Sequence, residues 1–323
     1  MLKMIRFSVA GRFGAFALTV LALASIAFGQ DSLRKALDYD NDNKADLVVF
    51  RPADSTWYIL KSSGVINVQA FGIANDDYPT PGDYDGDGIG DIAVWRDTNG
   101  TWYRINSSNS TFSVQPWGLA GDEPVARDYD GDGRTDLAVV RKSGGVLTWY
   151  VFLLGSNGFF STAFGLEGDL LAPGDYDGDG KFDFAVQRPG ASPTAPGTFY
   201  ISNSLGYQFF EFGLGKDLVA PGDYDHDGKT DIAVVREGAQ TTDILQWFIR
   251  LSGSGNAVVN YGFGLTGSDL LAQNDYDGDG KTDVAVWRNT DGRFYILNSS
   301  NFTMSVIWWG LPNDLPVANY DTH

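Results

Sequence analysis

An acidic nine-residue motif, Asp-x-Asp-x-Asp-Gly-x-x-Asp, recurs six times in this chain, with Asn43 in place of the glycine in the first copy, and constrains its fold more than any other feature. The clearest copy runs from Asp83 to Asp91 and is followed by a short apolar run that ends at Arg96. Successive copies are 45, 45, 47, 48 and 52 residues apart. A period of this length predicts a repeat architecture in which each copy is one structural unit. The other copies begin at Asp38, Asp128, Asp175, Asp223 and Asp275.

Each unit is predicted to hold four short strands, as the second copy illustrates. Residues 78–82 form a strand before the acidic loop, and residues 92–95, 102–105 and 112–117 form three strands after it. These segments are β-branched or aromatic and are bounded by Gly, Asn, Asp or Ser. Outside the first 29 residues, no stretch of ten or more residues has helical periodicity. The sequence therefore predicts an all-β fold, a β-propeller built of four-stranded blades.

The number of blades is predicted from the loops and from the last residues of the chain. Six loops predict six blades, and residues 314–323 then supply a first strand and a broken loop. This partial repeat either closes the ring beside a weak first strand at residues 33–37, or begins a seventh, incomplete blade. We expect the closing strand.

Aromatic pairs recur in register in the third strand of each unit. They could form a sugar-stacking surface or pack between blades. Packing is favoured because every blade must bury both of its faces against its neighbours. The pairs are Trp57-Tyr58, Trp102-Tyr103, Trp149-Tyr150, Phe199-Tyr200, Trp247-Phe248 and Phe294-Tyr295.

An arginine follows the last aspartate of every loop by five residues, and an aspartate precedes most loops by six. We expect buried ion pairs between strands or blades, in preference to a ligand-binding ring. The arginines are Arg51, Arg96, Arg141, Arg188, Arg236 and Arg288. The aspartates are Asp77, Asp122, Asp169, Asp217 and Asp269.

The acidic loops are predicted to bind about six calcium ions, one per loop. Four carboxylates within nine residues repel one another unless a hard cation lies between them. Side chains at positions 1, 3, 5 and 9 and the carbonyl at position 7 supply oxygen ligands, and water completes the shell. The predicted ligands are Asp38, Asp40, Asp42 and Asp46; Asp83, Asp85, Asp87 and Asp91; Asp128, Asp130, Asp132 and Asp136; Asp175, Asp177, Asp179 and Asp183; Asp223, Asp225, Asp227 and Asp231; Asp275, Asp277, Asp279 and Asp283.

These loops differ from the loop of an EF-hand. Position 12 is Val94 in the second copy and valine in the others, where an EF-hand has a bidentate acid, and no helices flank the loops. Gly88 at position 6 allows a sharp turn, and Asn43 takes this place in the first loop. Cages made only of protein oxygens suit Ca²⁺ better than Mg²⁺.

The first 29 residues are typical of a secretory signal peptide. Lys3, Arg6 and Arg12 precede an apolar stretch over residues 15–28, and we expect cleavage after Gly29. The alternative is an uncleaved N-terminal anchor. Cleavage would leave 294 of the 323 residues as a secreted or cell-surface propeller at 30–323 and would change the net charge from −18 to −21.

This negative charge bears on the partners of the protein. It argues against nucleic acid and against anionic membrane surfaces, and no second apolar segment predicts membrane insertion of the mature chain. Six divalent cations would return twelve positive charges. The chain has no cysteine, so metal would take the place of disulfides in stabilising its loops. We expect a monomer.

The acidic loops, the Ile-Ala-Val-Trp run after Asp91 and the Phe-Gly or Trp-Gly pairs that end the fourth strands resemble FG-GAP repeats. These are the calcium-binding blades of the integrin α-chain propeller, and they also occur in secreted bacterial FG-GAP or VCBS repeat proteins. The resemblance covers residues 33–323. It implies calcium between the first and second strands of each blade. Integrin-type propellers have seven blades, whereas six units and a partial repeat are present here.

Three classes of function remain open, and a binding or adhesion module for a glycan or protein ligand is favoured. Loops 189–197, 237–243 and 142–147 vary in length on the face opposite the acidic loops, where recognition is expected. A passive surface or matrix repeat is one alternative. A polysaccharide-active enzyme or its accessory domain is another. No catalytic residues are predicted, since His226 lies inside a loop, His323 is the last residue, and no Gly-x-Ser-x-Gly motif is present.

Overall fold

The computed structural model describes residues 36–318, which form six four-stranded antiparallel sheets and one short 3₁₀ turn at Asp97–Asn99. Residues 1–35, which include the predicted signal peptide, and residues 319–323 lie outside this part of the chain. The strands are β1 (Leu47–Arg51), β2 (Thr56–Leu60), β3 (Ile66–Ala70), β4 (Asp77–Pro79), β5 (Ile92–Arg96), β6 (Thr101–Ile105), β7 (Phe112–Pro116), β8 (Glu123–Pro124), β9 (Leu137–Ser143), β10 (Val146–Leu153), β11 (Gly158–Leu166), β12 (Leu170–Leu171), β13 (Phe184–Arg188), β14 (Pro196–Asn203), β15 (Gly206–Leu214), β16 (Leu218–Val219), β17 (Ile232–Arg236), β18 (Ile244–Arg250), β19 (Val258–Leu265), β20 (Asp269–Leu271), β21 (Val284–Arg288), β22 (Arg293–Leu297), β23 (Met304–Trp308) and β24 (Leu315–Pro316).

The sheets are the blades of a six-bladed β-propeller. Blades 2 to 6 each use four consecutive strands, from β4–β7 to β20–β23, and blade 1 has the order β24-β1-β2-β3. The second strands are rich in β-branched residues and almost wholly buried, whereas the fourth strands alternate partly buried and exposed residues. This gradient is expected where the inner strands lie between neighbouring blades and the fourth strand forms the outer edge. Among residues 36–318, no helix could span a membrane.

The core lies between the blades, as the aromatic pairs predict. The first member of each pair is at most 1% exposed, and the second is only partly buried. Buried indole N–H groups find partners, since Trp57 Nε1 donates to the Phe71 carbonyl at 3.1 Å and Trp102 Nε1 to the Trp117 carbonyl at 2.9 Å. The packing interpretation is confirmed for these first members. They are not available as a sugar-stacking surface.

The C-terminal segment closes the ring and sets the number of blades at six. β24 pairs with β1, with Phe50 opposite Leu315 and Val49 opposite Pro316. The closing strand was expected beside a first strand at residues 33–37, of which residues 33–35 lie outside the described part of the chain, and Ala36 and Leu37 form a turn. β24 itself is the first strand of blade 1. The seven-bladed alternative is therefore wrong, because the partial repeat completes an existing sheet.

The predicted arginine–aspartate ion pairs form in every blade, between its first and second strands. Both oxygens of each carboxylate accept N–H bonds of 2.7–2.9 Å from one guanidinium. Each guanidinium also lies 4.0–4.5 Å from the centre of a Tyr or Phe ring on the third strand. In blade 1 the partner of Arg51 is Asp314, which precedes β24. The pairs therefore tie the inner strand of every blade to its neighbour.

Candidate metal centres

The six acidic loops form a closed ring at one end of the propeller, here called the metal-loop face. Loops 1 to 6 are the copies that begin at Asp38, Asp83, Asp128, Asp175, Asp223 and Asp275. In every loop the backbone N–H of position 8 donates to the carbonyl of position 1 in the preceding loop, over 2.6–2.8 Å. The N–H of Ala45 in loop 1 donates to Asp275 of loop 6 and closes the circle. The backbone thus holds six carboxylate clusters in fixed relation to one another.

The carboxylate at position 1 organises each loop from within. In loop 2, Asp83 is buried and its oxygens accept N–H bonds from Gly86, Asp87 and Gly88, over 2.7–3.1 Å. These bonds require the chain to turn sharply, and Gly88 has a φ of 87°. Asn43 takes the same left-handed conformation in loop 1, with a φ of 66°. The predicted role of position 6 is confirmed.

The carboxylate at position 9 is buried and joins the loop to the rest of its blade. In loop 2, Asp91 Oδ2 accepts the N–H of Tyr84 at 2.8 Å, and Oδ1 accepts the N–H of Ser107 at 2.6 Å. Ser107 lies in the turn between the third and fourth strands, so two separate segments converge on this side chain. Equivalent bonds to turn residues are present in loops 1, 3, 5 and 6.

Oxygens from three predicted ligands of a loop lie within 4.8 Å of one another in loops 1 to 5. Loop 1 brings positions 1, 3 and 5 together, and loops 2 to 5 bring positions 1, 3 and 9 together. In loop 2 the carboxylate at position 5, Asp87, accepts the hydroxyl of Ser107 at 3.0 Å. The structure thus places three of the four predicted carboxylates of each of these loops around one point. Such a group could hold a metal ion.

An unsatisfied oxygen at position 3 shows that these sites fit a cation. Oδ1 of this aspartate is buried without a hydrogen-bond partner in loops 1, 2, 4 and 5, at Asp40, Asp85, Asp177 and Asp225. A buried charged acceptor without a donor carries the full cost of its desolvation. A metal ion bound among the three clustered carboxylates of each loop would remove that cost.

Serine hydroxyls cover the outer side of the carboxylates, a feature that was not predicted from the sequence. Ser108 donates to Asp85 at 2.6 Å, and Ser300 donates to Asp277 at 2.6 Å. Both serines belong to Asn-Ser-Ser turns, at residues 106–108 and 298–300. The repeated tripeptide was the available signal, but its distance of about 20 residues from the loop hid the contact.

Burial raises the pKa of the carboxyl at position 9 in all six loops. The pKa reaches about 6 at Asp91, about 7 at Asp46, Asp231 and Asp283, and about 8 at Asp136 and Asp183. Desolvation is the main cause, and backbone hydrogen bonds oppose it. Without a cation, a pKa of about 8 keeps the carboxyls of Asp136 and Asp183 mostly protonated at neutral pH, whereas the carboxyl of Asp91, with a pKa of about 6, is mostly ionised there.

The metal-free protein is expected to be less stable at about pH 8 than at about pH 5. A carboxyl whose folded pKa exceeds its unfolded value of about 3.9 contributes stability that is complete below about pH 4. That contribution is lost as the pH rises through about 6 to 8, where the position-9 carboxyls titrate. Urea unfolding in EDTA should show a lower midpoint at the higher pH. Saturating calcium should reduce or reverse this fall, and a midpoint that rises with pH in EDTA would contradict the expectation.

The opposite end of the propeller, here called the variable face, carries the loops of unequal length. A cavity of about 450 Å³ opens there, lined by Leu170, Leu218, Leu270 and Leu315 of four first strands and by Glu237. Glu237 begins the predicted insertion of blade 5. The insertion of blade 4 is shorter than expected at its end, because β14 already begins at Pro196.

Comparisons with known proteins agree with the repeat and the fold. A family model described as FG-GAP-like repeat matches residues 38–94 and 128–186. The structure of AofleA from Arthrobotrys oligospora is 10% identical and covers 90% of both chains, with a TM-score of 0.52. A triple arginine-to-alanine mutant of AofleA is 11% identical, covers 90% of this chain and 91% of its own, and has the same TM-score.

At this level of identity the likeness to AofleA shows the fold alone. No curated protein matches the chain. The family match begins at the first aspartate of loop 1 in one segment and of loop 3 in the other, and it spans loops 1 to 4. With FG-GAP-like repeats matched over loops 1 to 4 and six blades of one design around a ring of acidic loops, the chain is a six-bladed β-propeller that contains FG-GAP-like repeats.

Proposed function

We propose that this protein is a secreted, calcium-stabilised binding module whose variable face recognises a glycan or protein ligand. The observation that carries the calcium part is the buried, partnerless Oδ1 at position 3 of four loops. It lies beside the carboxylates of positions 1 and 9 in loops 2, 4 and 5 and beside those of positions 1 and 5 in loop 1, and a divalent cation would satisfy all three. Secretion rests on the signal-peptide pattern of residues 1–29.

Calcium suits these loops better than other common metals. Every donor is a carboxylate or carbonyl oxygen, so no nitrogen or sulfur ligand favours zinc or copper. The aspartates at positions 1, 3, 5 and 9 and the carbonyl at position 7 would hold the ion, with water completing its shell. The bound ion would supply positive charge only. Its effect on the chain is to neutralise the carboxylates at the point where adjacent blades are joined.

The variable face offers a rigid platform for recognition. Its loops connect second and third strands that are themselves packed in the core, so their ends are fixed while their lengths differ. The cavity of about 450 Å³ falls within the range of roughly 300–1,000 Å³ that is usual for ligand pockets. Its leucines and Glu237 combine an apolar wall with a charged rim. Binding is therefore favoured over a passive structural role or catalysis.

Glycan-array binding of the purified protein in millimolar calcium and in EDTA tests this function. We expect saturable binding that disappears in EDTA and is weakened about tenfold by deletion of residues 190–195, a change of roughly 1.4 kcal/mol. The deletion variant must melt like the unmodified protein. Binding that survives this deletion would exclude the blade-4 loop. A blank array from folded protein would move the proposal to a protein ligand, and turnover of an arrayed glycan would overturn it in favour of an enzyme.

A further inference from the structure

A cavity of about 320 Å³ lies between blades 5 and 6 on the metal-loop face, away from the variable face. Blade 5 lines it with Asp225 of loop 5, Ser254 and Tyr261, and blade 6 lines it with Lys281 of loop 6 and Phe302. The lining therefore combines two aromatic rings with a carboxylate, a hydroxyl and an ammonium group. Ser254 donates to Asp225 Oδ2 at 3.2 Å and helps to orient it.

The stability of the fold does not explain why Phe302 occupies an exposed and strained position in this cavity. Its side chain is 64% exposed, and its φ of 56° lies in the left-handed region, where bulky residues are rare. The matching turn of blade 2 has Ser110 at the same place, also with a φ of 56°. The turn itself thus requires a positive φ but no aromatic ring. The ring of Phe302 stacks on Tyr261 of blade 5, with 6.3 Å between centroids and 26° between planes.

The pair of Tyr261 and Phe302 has no equivalent at the neighbouring junction, between blades 6 and 1. A cavity of about 290 Å³ between blades 6 and 1 has Lys44 and Ser62 where Lys281 and Ser299 line the first. Ile307 takes the place of Tyr261, because each pairs with the buried aromatic of its third strand. The turn of blade 1 has Gly64 near the place of Phe302. The two cavities share polar groups and one tyrosine each, Tyr224 and Tyr276, and the first has in addition the stacked pair of Tyr261 and Phe302.

A histidine joins the two sides of the aromatic cavity. His226 stands at position 4 of loop 5, where four of the other loops have glycine, and has a φ of 63°. Its Nδ1 lies 2.9 Å from the Gly280 carbonyl of loop 6. Loops 5 and 6 thus share a side-chain contact in addition to the backbone bond of the ring. A cavity whose walls are fixed before binding loses less entropy when a ligand enters.

We infer that this cavity binds one pyranose ring of a neutral glycan. The C–H face of a sugar ring would lie against the Tyr261–Phe302 pair, since the electron-rich faces of aromatic rings attract polarised C–H groups. Ser254, Asp225 and Lys281 supply acceptors and donors for the sugar hydroxyls. The inference rests on the proposed role as a binding module but uses a different face. Because Asp225 is position 3 of loop 5, sugar binding at this site requires an ordered loop 5 and therefore calcium.

Saturation-transfer NMR with methyl glucoside, galactoside and mannoside tests the site directly. The calcium-loaded protein is expected to transfer saturation to the ring protons of at least one of the three. Phe302→Ser, which copies blade 2, and Tyr261→Ile, which copies the neighbouring cavity, should each weaken binding about tenfold. Both variants are expected to melt like the unmodified protein, because the chain already uses these residues at equivalent places.

Two further variants serve as controls. Ser110→Phe adds the aromatic ring to the blade-2 turn, and Phe209→Ser removes an exposed ring from the outer strand of blade 4. Neither should change binding. Transfer that persists in both Phe302→Ser and Tyr261→Ile would overturn the inference, as would folded, calcium-loaded protein that binds none of the three glycosides. If deletion of residues 190–195 abolishes array binding while Phe302→Ser leaves it intact, the proposed function stands and this site is excluded.

Discussion

Removal of calcium with excess EDTA is expected to lower the melting temperature of this protein by about 15 °C. Oxygen-ligand sites in extracellular modules often bind calcium at roughly 10⁻⁴ M, so each adds about 1.4 kcal/mol at about 1 mM calcium. Six independent sites contribute roughly 8 kcal/mol, which is comparable to the stability of a whole domain. A protein of this size shifts by about 2 °C per kcal/mol. Differential scanning calorimetry with and without EDTA measures the difference.

A single-loop variant separates this effect from a general effect of the chelator. Asp85→Asn keeps the size of the side chain in loop 2 but removes the negative charge of the carboxylate whose Oδ1 is unsatisfied. It should reduce the calcium-dependent rise by about one sixth, roughly 2–3 °C. In EDTA the variant should melt at the same temperature as the unmodified protein or slightly higher, because one buried carboxylate is gone. An unchanged melting temperature of the unmodified protein in EDTA would show that the loops do not hold structural metal.

Deletion of residues 314–323 is expected to destabilise the propeller by about 5 kcal/mol or more. Blade 1 would lose its first strand, the bond from the Val317 N–H to the Val48 carbonyl at 2.9 Å, and the carboxylate partner of Arg51. Burial of Val317, which is 2% exposed, contributes roughly 2 kcal/mol by itself. Lost pairing and the broken ion pair account for the rest. Urea unfolding followed by tryptophan fluorescence measures the change.

Substitutions within the Arg51–Asp314 ion pair separate the contribution of ring closure to stability from the contribution of the ion pair alone. Arg51→Gln leaves Asp314, with a side chain only 2% exposed, as a buried and uncompensated charge, which should cost about 3 kcal/mol. Asp314→Asn should cost less, because the Arg51 side chain is 20% exposed and can be hydrated. Arg96→Gln in blade 2 is the matched control, since its pair with Asp77 has the same geometry within a continuous chain. If the deletion of 314–323 costs no more than Arg51→Gln, β24 does not close the ring.

Much of the fold could be predicted because the signals within a blade are local. The alternation of β-branched strands and polar turns over about 45 residues is complete within one repeat. The ligands of a loop lie within nine residues, so the turn conformation at Gly88 and its equivalents follows from residue type. Burial of the third-strand aromatics was also predictable, since a blade has no other way to cover both faces.

The contacts that cross the chain were less accessible. The arginine–aspartate pairs were expected, but the pairing of Arg51 with Asp314 spans 263 residues and depends on the ring being closed. The serines that cover the acidic loops lie about 20 residues from them, and their turn looked like an ordinary polar connection. Phe302 of blade 6 stacks on Tyr261 of blade 5. The turns of these two blades share no motif that would have indicated the contact.

Local sequence patterns specify the repeat, the strands of each blade and the aspartates of each acidic loop, because these features depend on short-range patterning and turn chemistry. The assembled fold decided between six and seven blades and showed that β24 closes the ring. It also decided that six backbone bonds link the loops and that an aromatic cavity opens at one junction. The physical reason is that these features depend on which surfaces meet when the first and last blades join. The local propensities of the residues do not specify how the first and last blades pack together.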